Sequence, residues 1–395
     1  MIGIWDLGFG ICRPTCLLLV LALAGCSGGA SDEAVTIGFT GPLSGGAALY
    51  GRNALDGLQL AVADINAAGG VSAAGRRVRV EVVSLDDRYF PNESATNAKR
   101  LVHQHGTPVV FCPHSGGILA IQGFNAAQAP KFVIGAYSSE PQILERKNPL
   151  TLMIPPRYTV YFDAFAKTMM ARHGRRLGRI PGSHAYAKEW TKGFSRVWQD
   201  QGGTLLRNNE IDYNTTADFS SVVSTALSEK PDVLFIGGPS QATALVVKAA
   251  REQGFAGGFA VMDQAKFEEM NKIVPMAMLE NSVGVMPLVA NPDDRAKRFV
   301  QKYRQALGEK RDPPREVSLT YLAMHVLARA MELAGTVTDA VAIMAKVDQA
   351  AATLSDDIKP SELLGVDELG HMRQPVVAAH VLGGQFVPLQ VSAVE

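Results

Sequence analysis

The chain has 395 residues, with 38 Lys and Arg side chains against 38 Asp and Glu side chains. Because these charges balance and no long basic or acidic run stands out, the composition argues against nucleic acid as a partner. A chain of this length exceeds what one hydrophobic core usually serves, so two lobes are expected.

The N-terminus has the features of an export signal. An apolar run at residues 16–24 follows a lone Arg13 and is too short to span a bilayer as a mature helix. The letters LAGC, which end at Cys26, are typical of a lipoprotein cleavage site. Residues 1–25 are therefore predicted to be a signal peptide and Cys26 the lipid attachment residue, which would anchor the protein to a membrane in the periplasm or another extracytoplasmic space. A plain secretory signal is the alternative.

Cysteine is scarce beyond this signal. Residues 26–33 form a predicted flexible tether, and Cys112 is the single cysteine that follows it. The folded part therefore has no internal disulfide although it is exported, and it has no cysteine-based zinc site. Neither a metal nor another cofactor is expected.

A strand, a loop of small residues and an amphipathic helix open the folded part. Residues 35–39 alternate as a strand does, and the apolar residues between 55 and 65 recur at helical spacing. In an open α/β sheet, the loop between such elements lies outside the carboxyl end of the strand, where ligands bind.

Strands and helices then alternate along the first half of the chain. The pattern predicts strands at 77–83, 109–111 and 131–134 and helices at 92–103 and 118–128. This order implies βαβ units and a mainly parallel sheet with right-handed crossovers.

A second series of similar size begins near Pro155. It contains predicted helices at 161–173, 189–201 and 242–254, a weak strand at 177–183, and clear strands at 232–236 and 259–262. Two helices at 293–307 and 317–335 follow, and a hairpin at 375–389 is expected to close an edge of the second sheet. Two similar series predict two similar lobes.

These motifs, taken in order, resemble the periplasmic leucine/isoleucine/valine-binding proteins of ABC transporters. The resemblance is carried by GPLSG and INAAGG near the start, VLFIGGPSQATALVVKAAREQGF in the middle and PVVAAHVLGGQFVPL near the end. It implies an α/β fold with two Rossmann-like lobes whose mainly parallel sheets are joined by a three-strand hinge. By analogy, lobe one comprises 34–155 and 286–364, and lobe two comprises 156–285 and 365–395.

The resemblance also implies a binding function. A member of this family would bind a small, branched-chain-like amino acid between the lobes, close around it and deliver it, as a monomer, to an ABC permease in the inner membrane. The chain is not expected to be an enzyme, because it has no Gly-x-Ser-x-Gly elbow, P-loop or His-Glu-x-x-His motif. The alternatives are an aromatic carboxylate, an amide or urea as ligand, or a ligand-sensing receptor for a signalling partner.

Two strand-end loops match those that hold the ligand carboxylate in the family. They carry Ser115 and Gly116 in the first loop and Ser138 and Ser139 in the second, where hydroxyl and N–H groups would donate to a carboxylate. Gly116 falls at or beside a serine of the family, so it offers its N–H but no hydroxyl. Tyr137 replaces a small residue beside the second loop. Serines at strand ends also serve as helix N-caps, which is the structural alternative.

Three further residues match the other ligand contacts of the family. Asp263 follows a strand of lobe two at the position of the acidic partner of the ligand ammonium, which needs such an acceptor. Tyr186 matches a tyrosine that closes over the ligand, and Tyr50 lies where an aromatic or apolar residue covers the ligand side chain. The alternative for Asp263 is a cap at the next turn.

Overall fold

The structure is a computed structural model that describes residues 33–308 and 310–394. The predicted signal peptide, the predicted lipid attachment at Cys26 and nearly all of the predicted tether lie outside the described residues. Within the described ranges, no helix combines the length and the apolar character needed to cross a membrane.

The first sheet is mainly parallel. Its strands are β1 (Ala34–Gly41), β2 (Val71–Ala73), β3 (Arg76–Asp86), β4 (Val109–Cys112), β5 (Val133–Ala136) and β6 (Thr151–Met153). They lie in the order β2-β3-β1-β4-β5-β6, and every described pair is parallel except β2 with β3.

The second sheet follows the same plan and ends in an antiparallel hairpin. The remaining strands are β7 (Arg176–Pro181), β8 (Thr204–Asn208), β9 (Val233–Gly237), β10 (Gly258–Val261), β11 (Ser282–Val285), β12 (Gly365–Val366), β13 (Met372–Arg373), β14 (Pro375–Leu382) and β15 (Gln385–Val394). The sheet order is β15-β14-β11-β10-β9-β7-β8, while β12 and β13 pair only with each other.

Helices connect these strands. They are α1 (Ala48–Ala67), α2 (Pro91–His105), α3 (Ser115–Gln122), α4 (Gln142–Glu145), α5 (Phe162–His173), α6 (Ala185–Asp200), α7 (Ser220–Ser228), α8 (Ser240–Glu252), α9 (Phe267–Met270), α10 (Met276–Leu279), α11 (Asp294–Leu307), α12 (Arg315–Ala334), α13 (Ala340–Met344) and α14 (Val347–Thr353). The predicted α/β fold with mainly parallel sheets is confirmed, and so is the hairpin at the edge of the second sheet.

Two predicted helices have the wrong bounds, and one of them, at 189–201, corresponds to α6, which begins at Ala185. The sequence pattern placed a helix at 118–128, whereas α3 begins at Ser115 and ends at Gln122. It begins early because the Nδ1 atom of His114 accepts a hydrogen bond from the N–H of Gly117 at 3.1 Å and so caps the helix. Histidine is not among the residues usually preferred at this position, which is why the pattern missed the start.

The core of the first sheet combines early and late segments of the chain. Phe39 on β1 packs in the same buried cluster as Phe299 on α11 and Leu322 on α12. Helix α12 approaches α1 so closely that a Cβ at Gly57 would lie 2.2 Å from the carbonyl oxygen of Val317. Val366 and Met372, on β12 and β13, also belong to this cluster. The exact lobe boundaries remain a prediction.

The parallel strands determine where the loops meet. The carboxyl ends of β1, β3, β4 and β5 lie at one edge of the first sheet, and those of β7, β9 and β10 lie at one edge of the second. Loops from both edges line a shared cavity, so residues that are far apart in the sequence come together there.

Candidate functional site

A cavity of about 40 Å³ lies where the strand-end loops of the two sheets meet. The cavity is lined by these predicted ligand-binding residues: Tyr50, Ser115, Tyr137, Ser138, Ser139, Tyr186 and Asp263. Gly116 does not line it, because this residue lies in α3 against α2, where an added Cβ would be 2.8 Å from the Cγ of Pro91. The structure thus brings most of the predicted residues together, while their role in binding stays a prediction.

Asp263 is the centre of a hydrogen-bonded group that joins the two sheets. The hydroxyl of Ser139, which follows β5, donates to its Oδ2 at 2.5 Å. The hydroxyl of Tyr186, in the first turn of α6, donates to its Oδ1 and lies 2.6 Å from the Ser139 Oγ. The indole N–H of Trp190 donates to the same Oδ1 at 3.2 Å. This set of donors fixes the orientation of the carboxylate and compensates its partial burial.

Aromatic rings cover another wall of the cavity. Tyr50 on α1 and Tyr137 after β5 meet edge to face, with ring centroids 6.2 Å apart. Burial raises the pKa of both phenols well above the usual value, so they remain neutral hydrogen-bonding groups. Tyr137 is itself buried and lines the cavity beside the serine loop.

Tyr89 and His114 line the cavity although the sequence analysis did not select them. Tyr89 follows β3 with a positive φ of 70°, a conformation that is rare for bulky residues. Its ring stacks on His114 at 4.7 Å, and its hydroxyl accepts a hydrogen bond from the Nε2 of Gln264 at 3.1 Å. Gln264 follows β10, so Tyr89 is a second contact between the two sheets.

A hydrogen bond with Asp87 fixes the orientation of the His114 ring. His114 Nε2 lies 2.9 Å from Asp87 Oδ2, and because Nδ1 accepts from Gly117, Nε2 must carry the hydrogen and donate it. Burial acts to raise the pKa of Asp87, but the hydrogen bonds from His114 and Ser94 lower it below its usual value. The Asp87 carboxylate therefore stays ionised and fixes the imidazole ring that faces the cavity.

Asp87 and His114 also form, with Cys112, a buried group whose ligand-type atoms lie within 4.8 Å of one another. Both nitrogens of His114 already take part in hydrogen bonds, and Asp87 also accepts from Ser94 at 2.7 Å. Burial raises the pKa of the Cys112 thiol well above its usual value, which disfavours the thiolate that binds metals. This chemistry fits a hydrogen-bonded support better than a metal centre.

A buried group of charged side chains lies beside the cavity. The Nζ of Lys266 lies 2.7 Å from the Oε1 of Glu316 on α12, and their side chains are 5% and 1% exposed. The Nδ2 of Asn53 on α1 donates to Glu269 at 2.7 Å. Glu268 is buried with neither carboxylate oxygen hydrogen-bonded to a described residue, and burial raises its pKa to about 8. Glu268 is therefore mostly protonated at neutral pH.

The residues that the sequence analysis missed share a positional signal. Tyr89, His114, Gln264 and Lys266 each lie within about five residues of the carboxyl end of a parallel strand, as most of the predicted residues do. A search for every polar or aromatic side chain at these positions would have found them. Glu316 carries no such signal, since it lies in the first turn of a long helix.

Comparison with known proteins identifies relatives of this chain. A family model described as periplasmic binding protein matches residues 34–385. The Leu/Ile/Val-binding protein BraC3 of Rhizobium johnstonii is 25% identical over 315 residues, which cover 78% of this chain and 82% of that protein.

Solved structures share the fold. The leucine-binding protein LivK from Thermotoga maritima has a TM-score of 0.75 at 24% identity, covering 91% of this chain and 98% of that one. A solute-binding protein of an ABC transporter from R. palustris, solved in complex with benzoate, has a TM-score of 0.76 at 17% identity, with 91% and 96% covered.

The family model spans nearly all of the described residues. Its members are substrate-binding proteins, so the prediction that this chain is not an enzyme is confirmed. The chain belongs to the periplasmic binding proteins of the leucine/isoleucine/valine-binding family.

Proposed function

We propose that this protein is the extracytoplasmic receptor of an ABC importer and binds a small α-amino acid between its two sheets. The observation that carries the proposal is the placement of serine hydroxyls from the first sheet opposite the carboxylate of Asp263 from the second. An α-amino acid needs both, because its carboxylate requires donors and its ammonium requires an acceptor. The names of the relatives BraC3 and LivK support a branched-chain-like amino acid.

Each end of the amino acid has a partner in this arrangement. Its carboxylate would accept from Ser115, Ser138 and Ser139 beside the N-terminus of α3, whose dipole favours an anion. Its ammonium would donate to Asp263, in place of the hydroxyl donors that this carboxylate has now.

Ligand entry requires a conformational change. A cavity of about 40 Å³ is smaller than an amino acid, so the contacts of Asp263 with Ser139 and Tyr186 must separate before the ligand enters. We propose that the two lobes then close over the ligand, and that closure shifts the population toward the form a permease recognises. Lipid attachment at Cys26 would keep this monomeric receptor beside its permease.

A second candidate ligand is an aromatic carboxylate. Four tyrosines and His114 line the cavity, and the R. palustris relative was solved with benzoate. Such a ligand would use the serine loops and stack on the rings, but it has no group for Asp263.

A thermal-shift and calorimetry screen of the purified protein tests the proposed function. We expect at least one L-amino acid to raise the Tm, because a ligand at about 100 times its Kd stabilises the fold by about 2.7 kcal/mol. Its des-amino analogue and its carboxamide should have little effect, since each lacks one of the two charged groups. If benzoate, an amide or urea raises the Tm and no amino acid does, the amino-acid proposal is wrong.

Ser139→Ala provides a test within the site. We expect it to weaken amino-acid binding by about tenfold, the effect of losing one hydrogen bond to a charged group. Ser221→Ala, an exposed position on α7, is the matched control and should leave affinity unchanged. Unchanged affinity in Ser139→Ala would remove this hydroxyl from the ligand contacts.

A further inference from the structure

Helix α9 packs with the second sheet but contacts helices of the first. Phe267 and Met270 of α9 lie in the same buried cluster as Val261 on β10. By contrast, Leu58 on α1 and Leu322 on α12 lie in the buried cluster that contains the residues of β1. Any contact of α9 with α1 or α12 therefore joins the two sheets.

Two buried contacts make this connection, and we call their four residues the latch. Lys266, just before α9, pairs with Glu316 on α12 at 2.7 Å. Asn53 on α1 donates to Glu269 on α9, also at 2.7 Å. All four residues are buried, and only Lys266 among them lines the ligand cavity. Both contacts must break when the two sheets separate to admit a ligand.

Glu268 lies inside the latch segment. Because Lys266 and Glu269 on either side of it bond to α12 and α1, the segment that carries Glu268 is held against both helices. The residue is 7% exposed, and burial raises the pKa of its carboxyl from the usual 4.5 to about 8. Separation of α9 from α1 and α12 admits water to this carboxyl and returns its pKa toward the usual value.

Three carboxyl groups share one cation at the latch. Besides burial, Glu269 and Glu316 act to raise the pKa of Glu268, while Lys266 acts to lower it. Burial lowers the pKa of Lys266, but the carboxylates of Glu316 and Asp263 raise it above its usual value, so Lys266 remains a cation. Burial also raises the pKa of Glu316, so any proton that it binds on closure adds to the one on Glu268.

The remaining elements around α9 contribute paired or uncharged groups. Asp56 on α1 pairs with Arg311 at 2.7 Å and accepts from the hydroxyl of Tyr303 on α11 at 3.3 Å. The hydroxyl of Ser240, at the start of α8, accepts from a backbone N–H just before α9 at 3.0 Å. The ring of Phe386 on β15 stacks on a ring of α9. The excess of carboxyl groups at the latch is therefore not compensated from these sides.

One group at the boundary between the sheets titrates in the opposite direction. The ring of His184 lies edge to face with that of Tyr89 from the first sheet, with centroids 5.6 Å apart. Burial lowers the pKa of His184 to about 4, although its hydrogen bond with Gln264 acts to raise it. Exposure on opening returns this pKa toward 6.5, so closure releases a proton from His184 below about pH 6.5 and almost none at pH 7.5.

We propose that closure of this receptor takes up a proton at Glu268, and that the latch couples this uptake to ligand binding. The inference rests on the receptor role in the proposed function, because it requires a ligand around which the lobes close. The closed form binds the proton more tightly than the open form. Ligand affinity therefore falls as the pH rises from the pKa of Glu268 in the open form to its pKa in the closed form.

Isothermal calorimetry on the purified protein counts the protons. Binding is measured at pH 7.5 in phosphate and in Tris, two buffers whose heats of ionisation differ, with L-leucine, L-serine, L-phenylalanine and benzoate as probes. We expect uptake of about 0.8 proton per bound ligand, the occupancy at this pH of a group with a pKa of about 8. Uptake below about 0.2 proton overturns the inference and leaves the proposed function intact.

The pH dependence of the affinity gives a second readout. Between pH 6.5 and pH 8.5, the Kd of a probe that binds should rise by about tenfold or more, because the closed form loses the proton over this interval and the open form has already lost it. A Kd that stays constant or falls over this interval overturns the inference.

Glu268→Gln replaces the titrating carboxyl with a neutral amide of nearly the same size. Because the amide is buried without first binding a proton, the variant should bind the probe about tenfold or more tightly than the wild type at pH 8.5 and take up less than about 0.2 proton at pH 7.5. Glu145→Gln is the matched control, since Glu145 is an exposed glutamate of another four-residue helix, α4. If Glu268→Gln keeps the wild-type proton count, the assignment to Glu268 fails.

Asn53→Ala tests the latch separately from the titrating group. It removes the hydrogen bond to Glu269, so the Kd of every probe that binds should rise by about tenfold, while the proton count per bound ligand stays at the wild-type value. Asn92→Ala, at an exposed asparagine of α2, is the matched control. An unchanged Kd in Asn53→Ala shows that closure does not depend on the latch and overturns the coupling.

The remaining outcomes separate the inference from the proposed function. If benzoate binds with proton uptake and no amino acid binds, the amino-acid proposal fails and the inference stands. If none of the four probes binds, the inference fails together with the proposed function. If Glu268→Gln does not fold, the wild-type proton count, the pH dependence of the Kd and Asn53→Ala decide.

Discussion

Asp263→Asn should lower the affinity for a zwitterionic amino acid by about 100-fold or more, equivalent to about 3 kcal/mol. The asparagine keeps the size of the side chain and an oxygen that can accept from Tyr186 and Trp190, but it removes the negative charge. The ligand ammonium would then be buried without a counter-ion. Calorimetry measures the affinity, and the Tm without ligand should change little.

Two controls test whether the effect of Asp263→Asn comes from its contact with the ligand ammonium. Asp212→Asn changes an exposed carboxylate between β8 and α7 and should leave the affinity for the amino acid unchanged. The des-amino analogue should bind Asp263→Asn no more weakly than it binds the wild type, since it brings no ammonium. If Asp263→Asn binds the amino acid as tightly as the wild type does, Asp263 does not bind the ligand ammonium. Its role would then be to orient the side chains of Ser139 and Tyr186.

Lys266→Met should destabilise the fold by about 3–5 kcal/mol at pH 8, the cost of breaking a buried ion pair. Burial raises the pKa of Glu316 above its usual value of 4.5 even with Lys266 beside it. Without the cation, this pKa rises further. A carboxyl whose pKa is higher in the folded than in the unfolded state destabilises the fold as the pH rises from the lower of these two values to the higher. The loss of unfolding free energy in Lys266→Met should therefore be smaller at pH 5. Urea unfolding at the two pH values measures it.

Removing the second partner should recover much of this loss. The double variant Lys266→Met with Glu316→Leu places two apolar side chains where the pair was, and such replacements are often neutral in stability. Lys192→Met is the surface control, because Lys192 and Glu189 pair at 3.4 Å with side chains 79% and 51% exposed, and its effect should stay below about 1 kcal/mol. If Lys266→Met lowers the unfolding free energy at pH 8 by no more than the surface control Lys192→Met does, a strong buried ion pair is contradicted.

Much of the fold was predictable because the spacing of apolar residues indicates helices and strands, and turn residues mark where the strands end. The strands β1, β9 and β10 are short apolar runs that end at turn residues, and they were found with bounds close to the observed ones. The segment LGRIPGS has low strand propensity, yet β7 lies between β8 and β9 as a buried parallel strand. Burial in the sheet therefore outweighs local propensity there.

The sequence predicted mainly those residues of the candidate site that directly follow a strand. Ser139 and Asp263 were selected because they follow strands, but the direct hydrogen bond between them was not predicted. The hydrogen bond from Asn53 to Glu269 joins residues 216 positions apart, and no local pattern indicates it. The left-handed backbone at Tyr89 likewise depends on Asp87 and could not be read from the letters LDDRYF.

The indole of Trp190 gives this protein an internal optical reporter. Its N–H donates to Asp263 at 3.2 Å, while its ring stacks on Phe235 with centroids 5.0 Å apart. Indole emission depends on charges beside the ring, so we expect the proposed ligand ammonium, by neutralising Asp263, to change the wavelength and intensity of Trp190 fluorescence. The indole N–H of Trp198 donates to the carbonyl of Arg175 at 2.9 Å, and Trp198→Phe would remove its emission, while Trp5 lies within the predicted signal peptide. Ligand exchange can therefore be followed in real time without attaching a dye.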